Sequence, residues 1–153
     1  MKKVLVVMGS DSDLKVMEKC VDRLKSFDIP TEVRICSAHR TPAAAEQLAK
    51  YAAAGKAAHL GGVLAAYTTL PVIGVPMATS VMGGMDSLLS IVQMPKGIPV
   101  ATVAIDGADN AAILAAQMIA LSDDALAQKL AQFKADMAAE VTAKDEKVRA
   151  QFA

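Results

Sequence analysis

Residues Val4-Leu5-Val6-Val7-Met8 form an apolar run that stops at Gly9 and passes through Ser10-Asp11-Ser12-Asp13 into a helical pattern. An apolar run without alternation is what a parallel strand covered on both faces requires. From Ser12 onward, apolar residues recur at Leu14, Met17, Val21 and Leu24, the spacing of one helix face. Phe27-Asp28-Ile29-Pro30 ends that helix, and Thr31–Cys36 is alternating and β-branched, hence a second strand. Thr41 is a natural N-cap and Pro42 suits the first helical position, so a helix is expected from Ala43 to about Ala54. Leu70–Val75 and Pro99–Ile105 read as further buried strands, and Asp109–Leu121 as an Ala-rich helix. Ser122 is expected to cap a last long helix with the stripe Leu126, Leu130, Phe133, Met137 and Val141. Strand–helix alternation throughout implies an α/β fold, a parallel sheet with helices on both faces. The length, 153 residues, fits one domain over residues 1–153.

Charge narrows the function classes. Sixteen basic and sixteen acidic side chains cancel, whereas a nucleic-acid or anionic-membrane surface needs a basic excess. Between Lys56 and Lys96 the only charged side chain is Asp86. Gly61, Gly62, Pro71, Gly74, Pro76, Gly83 and Gly84 interrupt that stretch, so no apolar 20-residue span survives. A buried sheet centre plus a subunit interface is the expected use of so much uncharged chain. Cys20 and Cys36 lack metal-ligand spacing, and no signal peptide is visible; buried, reduced thiols in a cytoplasmic protein are expected.

Ligands of such sheets sit beyond the carboxyl ends of the strands, which places Gly9–Asp13 and Ser37–Arg40 side by side at one rim. A loop between strand and helix usually cradles phosphate on free N–H groups, yet Asp11 and Asp13 would repel one. Two readings stand. Ser10, Asp11, Ser12 and Asp13 can be helix-capping residues only, or a carboxylate here can accept from ribose hydroxyls. At the second loop, His39 can give and take a proton near neutral pH, and Arg40 offers a planar fork for phosphate. The bland alternative has His39 bonded to backbone and Arg40 paired with Glu32 or Glu46.

VMGSDSD, SAHRTP, AAHL, TTLPVIGVP and MDSLLSIVQMPKGIPV occur in this order and closely resemble the N5-carboxyaminoimidazole ribonucleotide mutase family of de novo purine synthesis. The resemblance implies a flavodoxin-like, doubly wound three-layer fold and a homo-octamer. It also implies transfer of a carboxylate from the exocyclic nitrogen to carbon 4 of an aminoimidazole ring, without metal, ATP or organic cofactor. On these motifs His39 matches the catalytic histidine, Ser10 and Asp13 the nucleotide-binding pair, and Arg40 the phosphate-contacting arginine. The hydroxyls of Ser10, Ser12 and Ser37, with backbone N–H groups, suit the phosphate, and Asp13 the ribose. A single histidine can serve: His39 donates a proton as the carbamate loses carbon dioxide, then accepts one from carbon 4 after recarboxylation. Trapping carbon dioxide needs a small dry cavity, for which Ala57, Ala58, Gly61 and Gly62 are small enough. His59, in AAHL, is expected to be structural or part of the pocket wall. Ser87–Pro95 resembles a stretch placed at subunit contacts, and its Leu88, Leu89, Ile91, Val92 and Met94 equally suit a core.

One departure from the family pattern concerns residues 52–56. Between Tyr51 and AAHL, family members carry a helix end, a buried strand and a glycine-rich loop, and this chain is shorter by about a dozen residues there. Leu60-Gly61-Gly62 also replaces Leu-Pro-Gly. The lost strand would lie mid-sheet, between the first strand and Leu70–Val75, and its loss exposes backbone on both. Either the natural chain carries residues absent from this sequence, or this is a shortened variant; deletion at mid-sheet is poorly tolerated, which favours the former.

Two other functions fit the same frame. One is carboxylation of aminoimidazole ribonucleotide by free carbon dioxide; that related class tends to carry lysine after the histidine, so Arg40 favours the mutase. The other is a non-catalytic nucleotide-binding or receiver-like module, against which stands the lack of a phosphoacceptor aspartate at the third strand end.

Overall fold

The computed structural model describes residues 2–51, 59–80 and 82–152. Two compact units divide the chain, residues 1–115 and 116–153.

In the first unit, β1 (Val4–Met8) is buried at all five positions, as the apolar run requires. It pairs in parallel with β2 (Thr31–Ile35), from Val4 opposite Thr31 to Met8 opposite Ile35. The ladder continues beyond the strand ends, with Cys36 N–H donating to Met8 O at 2.9 Å. β2 is more open than β1: Val33 and Ile35 are exposed. Between them, α1 (Leu14–Ser26) buries Met17, Cys20 and Leu24. It ends in a left-handed residue, Asp28, at φ 57°. Asp28 N–H donates to Lys25 O and Ile29 N–H to Leu24 O, at 2.9 and 3.0 Å, the paired closure that satisfies the last helical carbonyls.

After β2, α2 (Pro42–Tyr51) starts at the expected proline, and α3 (Leu60–Tyr67) follows the segment 52–58, which lies outside the described residues. Leu5 and Val7 of β1 pack with Cys36, with Ala45 and Ala49 of α2 and with Leu60 and Leu64 of α3 in one buried cluster. The expected Leu70–Val75 strand is β3, with regular pairing at Ile73–Gly74; the expected Pro99–Ile105 strand is β4, at Ala101–Thr102. Their parallel ladder reaches further, from Ala101 N–H on Val72 O to Asp106 N–H on Pro76 O. Gly74 is required here, because a Cβ would collide with Ile91 Cγ2 and lie 3.0 Å from Val100 Cγ1. Ile91 belongs to α4 (Met85–Val92), which buries Ser87 and Ile91 and leaves Met85, Leu89 and Val92 exposed. Among the described residues the strands form two parallel pairs, β1–β2 and β3–β4. The expectation of a lost middle strand between those pairs concerns residues 52–56, which lie outside the described residues.

α5 (Ala108–Ala120) runs from the first unit into the second. In the first unit its start is tied to α1 by Arg23, whose Nε and Nη2 donate to Asp109 at 2.7 and 3.3 Å. In the second unit, α6 (Asp124–Gln151) is capped by Asp123, whose carboxylate accepts from Leu126 N–H at 3.0 Å. The expected cap, Ser122, is one residue early; its hydroxyl donates to Ile119 O at 3.4 Å and so belongs to the preceding turn. Of the expected stripe, Leu126 is buried, Leu130 and Phe133 are half-buried, and Met137 and Val141 are exposed. No described helix is long and apolar enough to cross a membrane.

Candidate active site

Two loops at the carboxyl ends of β1 and β2 build one cleft. Gly9, Ser10 and Asp13 come from the first loop, Ser37, Ala38 and His39 from the second, and His59 and Leu60 from the start of α3. Its volume is about 250 Å³, at the small end of ligand pockets. The adjacency follows from the parallel register, which ends β1 and β2 level at Met8 and Ile35.

In the first loop Ser10 is extended, and its Oγ accepts from Ser12 N–H at 3.3 Å, capping a single 3-10 turn at Asp11–Asp13. The Ser10 hydroxyl donates to Asp11 Oδ1 at 3.0 Å, and that of Ser12 to Asp13 Oδ1 at 3.3 Å. The capping reading therefore holds for Ser10, while Ser10 and Asp13 also line the cleft. Ser12 does not line it.

In the second loop Ser37 and Thr41 close the turn on each other. Thr41 Oγ1 accepts from Ser37 N–H at 3.0 Å and donates to Ser37 O at 2.9 Å, while Arg40 N–H donates to Ser37 Oγ at 3.2 Å. This holds residues 38–40 out as a short arch carrying His39. Arg40 Nη2 donates to Gly9 O at 3.4 Å, so its guanidinium lies across the two loops. The expected alternative partner, Glu32, is bound instead by Lys3 at 2.5 Å and Arg34 at 3.2 Å. These two cations hold the Glu32 carboxyl below its usual range, Lys3 contributing most.

His59 stands at the N-cap position of α3, exposed rather than in the core. Its ring meets that of His39 edge to face, with centroids 5.2 Å apart and planes at 68°. Gly61 is buried in the first turn of α3; the residue of that turn lining the cleft is Leu60. Ala57 and Ala58 lie outside the described residues. Sequence reasoning did not select Gly9, Ala38 and Leu60 as site residues; each adjoins a selected residue that also lines the cleft, Gly9 beside Ser10, Ala38 between Ser37 and His39, and Leu60 after His59. Among the described residues no cluster of three or more histidine, cysteine or acidic side chains is placed to hold a metal ion.

The family model described as AIR carboxylase matches residues 3–140, most of the chain. The chain belongs to the AIR carboxylase family. A relative from Methanocaldococcus jannaschii, named N5-carboxyaminoimidazole ribonucleotide mutase, is 51% identical over 97% of this chain and 99% of its own length. Relatives of the same name from Mycobacterium leprae and Thermotoga maritima are 50% and 48% identical, over 94% and 97% of this chain and 90% and 92% of theirs. The crystal structure of Treponema denticola PurE is 28% identical, with a TM-score of 0.84 over 94% of this chain and 96% of that one. These likenesses bear out an α/β fold with parallel strands and a long C-terminal helix.

The three relatives align over 156, 153 and 158 positions while taking in 97%, 94% and 97% of 153 residues, so about eight to ten aligned positions have no counterpart here.

Proposed function

We propose that this chain is an N5-carboxyaminoimidazole ribonucleotide mutase of purine biosynthesis, an isomerase that moves a carboxylate within its substrate. The observation that carries the reading is the joining of GSDSD and SAHRTP in one cleft, in a chain about half identical to proteins of that name over nearly its whole length. The domain is taken as residues 1–153, doubly wound and flavodoxin-like, and the site works in the cytoplasm without metal or organic cofactor.

In this reading Ser10 and Ser37, with the Arg40 guanidinium beside Gly9, hold the phosphate of the ribonucleotide, and Asp13 accepts from the ribose; Ser12, outside the cleft lining, takes no part in binding. His39, held on the arch by Ser37 and Thr41, is the acid and base. It protonates the exocyclic nitrogen as the N–C bond to the carboxylate breaks and carbon dioxide leaves. Carbon 4 of the electron-rich ring attacks that carbon dioxide, and His39 removes the proton from carbon 4. One proton leaves the histidine and one returns, so the cycle needs no other acid or base. His59 and Leu60, which line the cleft, are assigned to the wall that confines carbon dioxide, with Ala57 and Ala58 added on the family resemblance; Leu60 takes the place expected of Gly61. The exposed Met85, Leu89 and Val92 of α4 supply an apolar contact for a homo-octamer.

The test is direct assay with N5-carboxyaminoimidazole ribonucleotide. Its conversion to the 4-carboxylated isomer supports the mutase, and product formed only from aminoimidazole ribonucleotide and free carbon dioxide supports the carboxylase instead.

A further inference from the structure

The chain has two histidines, and the fold brings their rings together although they are twenty residues apart. His39 lies on a short exposed turn after β2, where a side chain alone would sample several rotamers. His59 is mounted differently. Its carbonyl accepts from Val63 N–H at 2.9 Å, which locks it to the first turn of α3. Leu60 and Leu64 of that helix are buried against Leu5 and Val7 of β1. The His59 ring is therefore referenced to the core, whereas the His39 ring is carried by a loop. At 5.2 Å and 68° the rings have the edge-to-face geometry that aromatic pairs prefer.

We propose that His59 is a positioning residue for His39, a prop fixed to the hydrophobic core that selects one rotamer of the His39 imidazole and aims it into the cleft. This rests on the mutase reading, in which His39 transfers protons, and it assigns His59 no proton transfer of its own. Two charged groups belong to the loops that carry the cleft: Asp13 lines it and Arg40 reaches Gly9 O. Neither supplies a ring surface, so the prop depends on the shape of His59 rather than on its charge. Phenylalanine should replace it and alanine should not.

The experiment combines kinetics with histidine ring spectroscopy on the full chain. His59→Ala is expected to lower kcat by about 10–100-fold, the scale of a small misplacement of a reacting group, and His59→Phe to retain roughly fivefold more turnover than His59→Ala. KM should stay within about twofold in both, because ground-state binding is untouched. With ¹³C-labelled histidine, the parent should show a nuclear Overhauser contact between the two rings, and the His39 ring signal should move in His59→Ala but hold in His59→Phe. Equal loss of turnover in both variants overturns the prop, because a polar role is then at work. A rise in KM with kcat unchanged also overturns it, since His59 would then be wall only. If His59→Ala does not fold, the Overhauser contact in the parent decides, and its absence overturns the proposal. Lack of turnover in the parent, with the ring contact present, would defeat the mutase reading and leave the ring pairing standing.

Discussion

On the arch after β2, Ser37 and Thr41 spend their polar groups on each other's backbone or on Arg40 N–H, which leaves the His39 side chain for the cleft and the Arg40 side chain for Gly9 O. Replacement of His39 by asparagine keeps the size and polarity but cannot shuttle a proton, so mutase turnover should fall by about 10²–10⁴-fold with little change in KM. Retained turnover would place the acid and base elsewhere. Cys20 makes a different prediction. Burial, and then the negative charge of Asp109, push its thiol from 9.0 up to about 12. A group whose folded value is raised contributes stability below its unfolded value and loses it as pH rises toward the folded one. The stability difference between the parent and Cys20→Ala should therefore be constant below pH 9 and shrink at up to ~1.4 kcal/mol per pH unit above it. Denaturant melts of both proteins at pH 7 to 11 check this, and a difference flat across that range would show the thiol ionising in the folded state. The same argument predicts that native Cys20 resists alkylation at pH 8.

Individual elements depend on single contacts that can be removed one at a time. α6 begins where Asp123 accepts from Leu126 N–H, and Asp123→Ala should cost about 1 kcal/mol, read as a lowered melting temperature. Ser122→Ala should cost much less, because that hydroxyl serves the preceding turn. β3 and α4 meet at Gly74, where a Cβ has no room beside Ile91. Gly74→Ala should destabilise by about 1–3 kcal/mol, and the double variant Gly74→Ala with Ile91→Leu, which takes away the colliding Cγ2 methyl, should recover part of that loss. Failure of the second change to help would show that the strand, not the isoleucine, gives way. Helix starts and strand runs were legible because local spacing marks them. The cap of α6 was misplaced by one residue because Ser122 and Asp123 both carry capping side chains, and only the backbone path decides which faces the first turn.

For the molecule as a whole, the missing positions matter most. Relatives align with about eight to ten positions that this chain lacks, and the described strands form two pairs rather than one continuous sheet. On the expectation from sequence that a middle strand has been lost, insertion of a strand-forming segment of about nine residues between Tyr51 and Ala58 should raise stability by several kcal/mol, through backbone hydrogen bonds that such a strand adds to its neighbours. Denaturant melts of the two lengths test it, beside the intact mass of the expressed chain, for which this sequence gives 15.9 kDa. Equal midpoints would mean that the sheet closes without the inserted strand.

The sequence alone determined the α/β class, the parallel strands and the family, because those follow from apolar period, capping residues and motif order along the chain. It named His39, Ser10, Asp13 and Ser37, which line the cleft, because the carboxyl ends of adjacent parallel strands must share a rim. Tertiary structure alone decided that Leu60 rather than Gly61 faces the cleft, that Arg40 turns to Gly9 and not to Glu32, and that His59 meets His39. Each of those outcomes depends on the angle at which one element packs on another, and spacing along a chain carries no record of that angle.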